Sequence, residues 1–434
     1  MNELPTAWVE SSLGDLTTGG LLIDGDWVES KDQDPHGDVR LTQLADVGEG
    51  VWRNRSDRRM RMDQAQELGC TFLAPGDVLI ARMPEPLGRA CIFPGDSRPS
   101  VTAVDVCICR PRSETVDPKW LMWFINAPTS RKKIEALQSG TTRKRISRKN
   151  LATVTLPVPP RAEQRRIVEA IEELFSRLDA AESSTWAAWQ KLVRLRSTVL
   201  TKAIRSNHDV VSLGDVIRSL RNGIFVSRPL RCPPGIPIFR ISAVRPMTLD
   251  TSDVRFAPLG TPDAERYFVD EGDLLFTRYS GNTSYVGSCA VVPRLTSRTL
   301  YPDKLIRVVV DRQRILPEFV SLAVNNGPGR RAIEQRLKTT AGQVGIAGGE
   351  LRTVQIPLPK LEEQQRIVDG ISRQLSVYEN LVRTIDNTLQ RSRRIRRAIL
   401  ILASTGQLAL QDPNDEPAPL VTELSNTQPA QLKI

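Results

Sequence analysis

The stretch LPVPPRAEQRRIVEAI, residues 156–171, reads as the end of a strand, a proline brake and the start of a helix. It returns about 200 residues later as IPLPKLEEQQRIVDGI, residues 356–371. Pro157, Pro159, Glu163, Gln164, Arg166, Ile167, Val168 and Ile171 recur as Pro357, Pro359, Glu363, Gln364, Arg366, Ile367, Val368 and Ile371. Helices share composition readily but seldom share identities in a fixed register, so the chain reads as an internal duplication. The period extends outward. Leu13-Gly14-Asp15 matches Leu213-Gly214-Asp215, Val39-Arg40-Leu41 matches Phe239-Arg240-Ile241, and FLAPGDVLIAR (72–82) matches FVDEGDLLFTR (268–278).

Each copy has two textures. Residues 1–155 and 207–355 carry short β-like runs broken by Gly, Pro and Asp, such as DVLIAR and DLLFTR, with a turn signal (Gly76-Asp77, Gly272-Asp273) before the strand. Residues 156–206 and 356–410 instead space their apolar residues three and four apart, giving one stripe on a long helix. Pro159 and Pro160 suit a helix start, Glu163 complements the helix dipole in the first turn, and Gly406 suits a helix end. A stripe of that length is uncovered on a lone helix. The expected fold is therefore α+β: a tandem repeat of two β-rich α/β domains, each followed by a long α-helix, the two helices packing against each other. Residues 411–434 are Pro-rich and polar and are expected to be disordered.

At 434 residues the chain is long enough for several cores. Its longest purely apolar run, Ala398–Ala403, is too short to span a bilayer, and MNELPTAWVESS lacks a signal-peptide pattern, so the expected location is the cytoplasm. The six cysteines form no CxxC pair. Cys107 and Cys109 could share one face of a strand, but no second ligand pair accompanies them, so buried free thiols are expected. The formal charge of +10 is gathered into clusters at Arg53–Arg61, Arg131–Lys149 and Arg391–Arg397, which points to a polyanionic partner such as nucleic acid.

The doubled P-x-P-x-x-x-E-Q-x-x-I entry, the two GD-[VL]-L-[IF]-x-R segments and VRLTQLADVGEG (39–50) together resemble the specificity subunit of type I restriction-modification systems, over nearly the whole chain. The resemblance implies two target-recognition domains, each reading one half of a split, asymmetric double-stranded DNA target. It also implies that the two helices pack as an antiparallel coiled coil, serving as a spacer and as the docking surface for two methyltransferase subunits, to which translocase-nuclease subunits add. The first turns, Glu163, Gln164 and Ile167 with Glu363, Gln364 and Ile367, are the candidate partner contacts. S-adenosylmethionine, ATP and Mg would belong to the partner subunits, and this chain is expected to hold no cofactor or metal and to perform no catalysis. Two other readings are a specificity factor of another DNA-modification defence system and an autonomous nuclease.

The catalytic motifs are indeed missing from the sequence. There is no GxxxxGK[ST] phosphate loop and no Asn-Pro-Pro-Tyr-like methylation motif. Asp105 followed by Asp117-Pro118-Lys119 is a loose nuclease-like trace, but the proline suits a helix start better than a metal site, and the second copy lacks it. The candidate DNA contacts are Arg40, Arg82 and Arg89 in the first copy and Arg240, Arg278, Tyr279, Ser280, Asn282 and Ser284 in the second, where Arg can pair with guanine and Asn with adenine. The run TTRKRISRKN supplies Arg143, Lys144, Arg145, Arg148 and Lys149 as phosphate contacts.

Overall fold

The computed structural model describes residues 4–112, 114–140, 143–204, 208–340 and 343–418, which form two compact units. The first comprises residues 1–184 and 387–434, the second 185–386, so each unit takes part of both long helices.

In the first unit the continuous, fully buried apolar runs in Val78–Ala81 and Val106–Arg110 place these strands at the centre of a four-stranded antiparallel sheet. Its order is Leu21–Asp24, Val106–Arg110, Val78–Ala81, Ala90–Ile92. Helix Pro118–Asn126, buried through Trp120, Leu121 and Phe124, covers one face, and Val47, Leu79, Phe93 and Ile108 pack on the other. A smaller sheet joins Val39–Thr42 to Arg59–Met60 and, in parallel, to Ser100–Thr102. Val9–Ser12 pairs with Thr155–Val158 and so brings the chain's first strand beside the residues that enter the long helix Arg161–Ile204.

The second unit repeats this plan. Its four-stranded sheet runs Ile217–Asn222, Leu305–Val310, Leu274–Thr277, Cys289–Val291, the same order in the copied positions. Helix Pro317–Asn325 covers it, and Val210–Ser212 pairs with Gln355–Pro357 before the second long helix, Leu361–Ser404.

The helices pair within both units. In the first, Ile167, Ile171 and Phe175 share a core with Ile399, Leu400 and Ala403, while Arg396 reaches Asp179 at 2.5 Å and Ser392 Oγ donates to Glu182. In the second, Leu200 and Ile204 share a core with Ile371, and Arg196 lies 5.5 Å from the Tyr378 ring centroid. Early residues of one helix meet late residues of the other, which is the antiparallel pairing that the family resemblance implies. Gly370 lies within the second helix without breaking it, its cost against alanine being only about 1 kcal/mol.

Of the tail expected to be disordered, the described part makes contacts in the first unit. Asp415 pairs with Arg166, the Ala418 amide donates to Ala7, and Ala418 is buried. Residues 419–434 lie outside the described residues. All six cysteines are free; Cys91, Cys107, Cys109 and Cys289 are buried as expected, but Cys232 is exposed and Cys70 half-buried. Burial pushes the Cys91 and Cys107 thiols up to about 12. No helix among the described residues is long and apolar enough to cross a membrane.

Candidate nucleic-acid interface

The repeated motif builds a joint. Gln164, 1% exposed, accepts the Asp117 amide at 2.8 Å and donates to the carbonyls of Thr115 and Pro159. Gln364 does the same two hundred residues on, accepting the Leu316 amide at 2.8 Å and donating to Arg314 and Pro359. Each glutamine therefore ties the first turn of a long helix to the loop that starts the sheet-covering helix. The glutamates pair less symmetrically. Glu163 accepts from Trp8 Nε1 at 2.9 Å, and burial holds its carboxyl above the usual range, an effect the indole bond only partly offsets. Glu363 is more open and faces His208 at 3.3 Å.

These contacts correct the partner assignment of the first turns. Gln164 and Gln364 are fully used within the chain, Ile167 is core, and Glu163 is buried. Ile367 is half-buried against the core of the second unit. Only Glu363 keeps an appreciable surface there, 41% of its side chain.

Three of the candidate base contacts, Arg89, Arg82 and Arg40, are bonded within the chain. Arg89 is 4% exposed and donates to the carbonyls of Leu44, Val47, Met83 and Pro86, so a guanidinium fork closes a loop from inside. Arg82 donates to the Ile146 and Val104 carbonyls and pairs with Asp24 at 2.6 Å. Arg40 is held between Asp46 and Asp96 with its guanidinium over the Trp52 ring. Asp46, fully buried, also accepts the amides of Gln43, Arg55 and Ser56, so VRLTQLADVGEG is scaffold at its centre. Asp117 caps helix Pro118–Asn126 through the Lys119 and Trp120 amides and pairs with Arg161, which accounts for it as a helix start. No cluster of metal-ligating side chains occurs among the described residues.

The remaining candidates lie open. Arg143, Lys144, Arg145, Arg148 and Lys149 are exposed, with no carboxylate partner among the described residues; Thr141 and Thr142 lie outside them. In the second unit Arg278 donates weakly to the Asp303 carbonyl at 3.5 Å and rests over the Tyr279 ring. Tyr279 bridges to Gly345, the end of a strand Gln343–Gly345 that pairs antiparallel with Lys338–Thr340, and Asn282 caps a short turn by accepting from Ser284. Ser280, half-buried, and Asn282, exposed, thus sit on a tight loop beside that strand pair. Arg240 pairs with Asp253 at 3.0 Å and stays about half exposed. Arg131 leaves its basic cluster altogether: it is buried, donates to the Leu87 carbonyl, and pairs with Glu49.

One duplicated pair escaped sequence reasoning. Asn126 accepts the Ala90 amide and returns a donor to the Ala90 carbonyl; Asn325 does the same to Cys289. Both asparagines clamp the edge strand of the four-stranded sheet to its covering helix. Their signal was available, since each follows an apolar run and precedes Ala-Pro or Asn-Gly-Pro.

Two β-rich units with identical joints, each fastened to the start of a long helix, define a duplicated binding architecture. The type I restriction modification DNA specificity domain matches residues 5–184 and 205–391, most of the chain, and the chain belongs to that family. It is similar to the EcoKI specificity subunit of Escherichia coli K12, with 31% identity over 303 residues, 66% of this chain and 65% of that protein. It is also similar to the StySPI specificity subunit of Salmonella potsdam, with 25% identity over 309 residues, 68% of this chain and 66% of that protein. The chain thus spans just under two thirds of the length of these relatives. A solved chain of a type I restriction-modification system, from work on its complex assembly and conformational transition, superposes with a TM-score of 0.71 at 18% identity, covering 94% of this chain and 100% of that one. The HsdS subunit from Thermoanaerobacter tengcongensis gives 0.52 at 18% identity, covering 94% and 99%. These likenesses bear on the fold.

Proposed function

We propose that this chain is the non-catalytic, sequence-specific DNA-recognition subunit of a type I restriction-modification complex, acting in the cytoplasm. Residues 1–155 and 207–355 act as two target-recognition domains that read the halves of a bipartite, asymmetric target. Residues 156–206 and 356–410 act as spacer helices. The observation that carries the reading is the duplicated joint: two domains that differ in their open loops keep the same Gln164 and Gln364 attachments to paired helices. A chain that must present two different surfaces on one frame needs that combination.

In this reading Arg143, Lys144, Arg145, Arg148 and Lys149 hold phosphates, and Arg278, Tyr279, Ser280, Asn282 and Ser284 face bases in one half-site. The docking surface for methyltransferase subunits moves off the buried first turns to the exposed apolar residues further along the helices, Trp186, Val193, Leu195, Val377 and Leu381. Translocase-nuclease subunits join through the methyltransferases, and S-adenosylmethionine, ATP and Mg act on those partners. Comparing the methylome of a strain with and without this gene tests the proposal. A bipartite motif methylated only when the gene is present supports it. DNA cleavage or methylation by the purified chain alone refutes it.

A further inference from the structure

The second unit holds a recess of about 510 Å³ whose wall includes Arg245, Arg255, Tyr285 and Asp303. Arg240 also lines it but is committed to Asp253. The other two guanidiniums have no carboxylate partner among the described residues. Arg245 donates to the carbonyl of its neighbour Val244 and lies over the Tyr285 ring, 4.5 Å from its centroid. Arg255 sits half-buried on the strand Val254–Ala257 with no partner for its side chain among the described residues. Ser242 and Thr277, on the same wall, carry hydroxyls without a hydrogen-bond partner.

Half-buried donors without acceptors lose hydration that nothing in the chain returns. Stacking on Tyr285 fixes the plane of the Arg245 fork, which lowers the entropy lost when it meets a planar acceptor. In the first unit Arg40, the counterpart of Arg240, is enclosed by Asp46, Asp96 and Trp52. The wall also carries an acid, Asp303, so its charge is mixed rather than purely cationic. A base pair that offers two acceptors and one donor suits both charges. Guanine presents O6 and N7 to a guanidinium, and the paired cytosine presents its N4 amino group to a carboxylate.

We infer that this recess reads one G·C base pair in the half-site contacted by the second unit, Arg245 and Arg255 serving guanine and Asp303 serving cytosine. The inference rests on the reading that the β-rich units bind DNA. The first step of the test is to define the target by methylome sequencing with the wild-type chain. The full chain, assembled with its methyltransferase subunits, is then measured on duplexes carrying the target and on duplexes with single G·C to A·T changes. For Arg255→Ala and Arg245→Ala, the preference for G·C at one position of one half-site falls roughly tenfold to a hundredfold. Binding to mixed-sequence duplex falls by a smaller factor than binding to the target, and a thermal melt matching the wild type reports that the variants fold. Arg255→Gln moves the preference at that position toward A·T, since Gln suits adenine. Equal weakening on every duplex with a shallower salt dependence identifies a phosphate contact and overturns the inference, as does unchanged discrimination at every position. A wild-type chain with no motif and no salt-sensitive DNA binding instead defeats the underlying reading, and the two failures are distinguishable.

Discussion

Replacing Gln164 by leucine removes one of the two joints at nearly constant volume. The wild-type side chain makes three bonds, to the Asp117 amide at 2.8 Å and to the Thr115 and Pro159 carbonyls at 3.3 and 3.1 Å. Leucine leaves the Asp117 amide and the Pro159 carbonyl without their partner, and each buried group so stranded costs about 1–3 kcal/mol. The gain from a buried apolar side chain returns part of this, so the net loss is about 3 kcal/mol. In a unit of about 200 residues, that lowers the melting temperature of its transition by about 6–12 °C. Gln364→Leu produces a loss of similar size in the other unit, because its three contacts are copies. Calorimetry on each variant, with hydrogen exchange to show which unit is affected, reads both effects. If Gln164→Leu melts like the wild type yet fails to assemble with methyltransferase subunits, the glutamine is a docking contact and the joint argument is wrong.

Replacing Arg143, Lys144 and Arg145 together by alanine weakens binding to all DNA sequences alike and lowers the salt slope by about 2–3, near 0.9 per lost phosphate contact; unaltered affinity across a salt titration moves that run to a partner surface. Glu163→Gln keeps an acceptor for Trp8 and removes a buried carboxyl whose ordinary value of 4.5 is raised by burial. Between the unfolded value and that raised one the folded state holds more protons, so the wild type loses stability as pH rises through the window. The variant therefore melts higher than wild type at pH 7 and alike near pH 4, and thermal scans at both pH values check this; a variant less stable at pH 7 shows that the charge is stabilising. Inserting four residues between Asp179 and Trp186, and four between Glu379 and Thr388, lengthens each helix by about 6 Å while nearly keeping the apolar stripe in register. If the helices set the gap, the unspecified spacer in the methylated motif grows by about one or two base pairs at 3.4 Å each. An unchanged spacer with normal methylation removes the ruler role.

The duplication and both long helices were legible because they are written in periodicity and in identities at a fixed offset, properties independent of tertiary context. What Gln164, Ile167, Arg82 and Arg89 do was not legible in the same way. A recurring polar residue signals a shared requirement, but sequence does not say whether that requirement faces inward or outward. Gln164 repeats because backbone groups of a distant loop need it, and those groups carry no side-chain signature. Arg89 was taken for a DNA contact since a loop arginine looks alike whether it points to solvent or fills a ring of carbonyls. By contrast, the basic run at Arg143–Lys149 stayed on the surface, because five cations within seven residues have too few local acids to be drawn inward. The Asn126 and Asn325 clamp was missed because a lone asparagine after an apolar run reads as a helix end.

The two joints are written in main-chain atoms. Gln164 and Gln364 address an amide and two carbonyls apiece; every residue except proline supplies the amide, and every residue, the prolines at 159 and 359 included, supplies the carbonyl. Such a fastening does not notice which side chains decorate the loop it holds: Asp117 stands in one copy where Leu316 stands in the other, and the bond length is the same. Mutational drift can therefore rewrite the faces of the two units, even to the point where little but backbone remains in common, without loosening either from its helix.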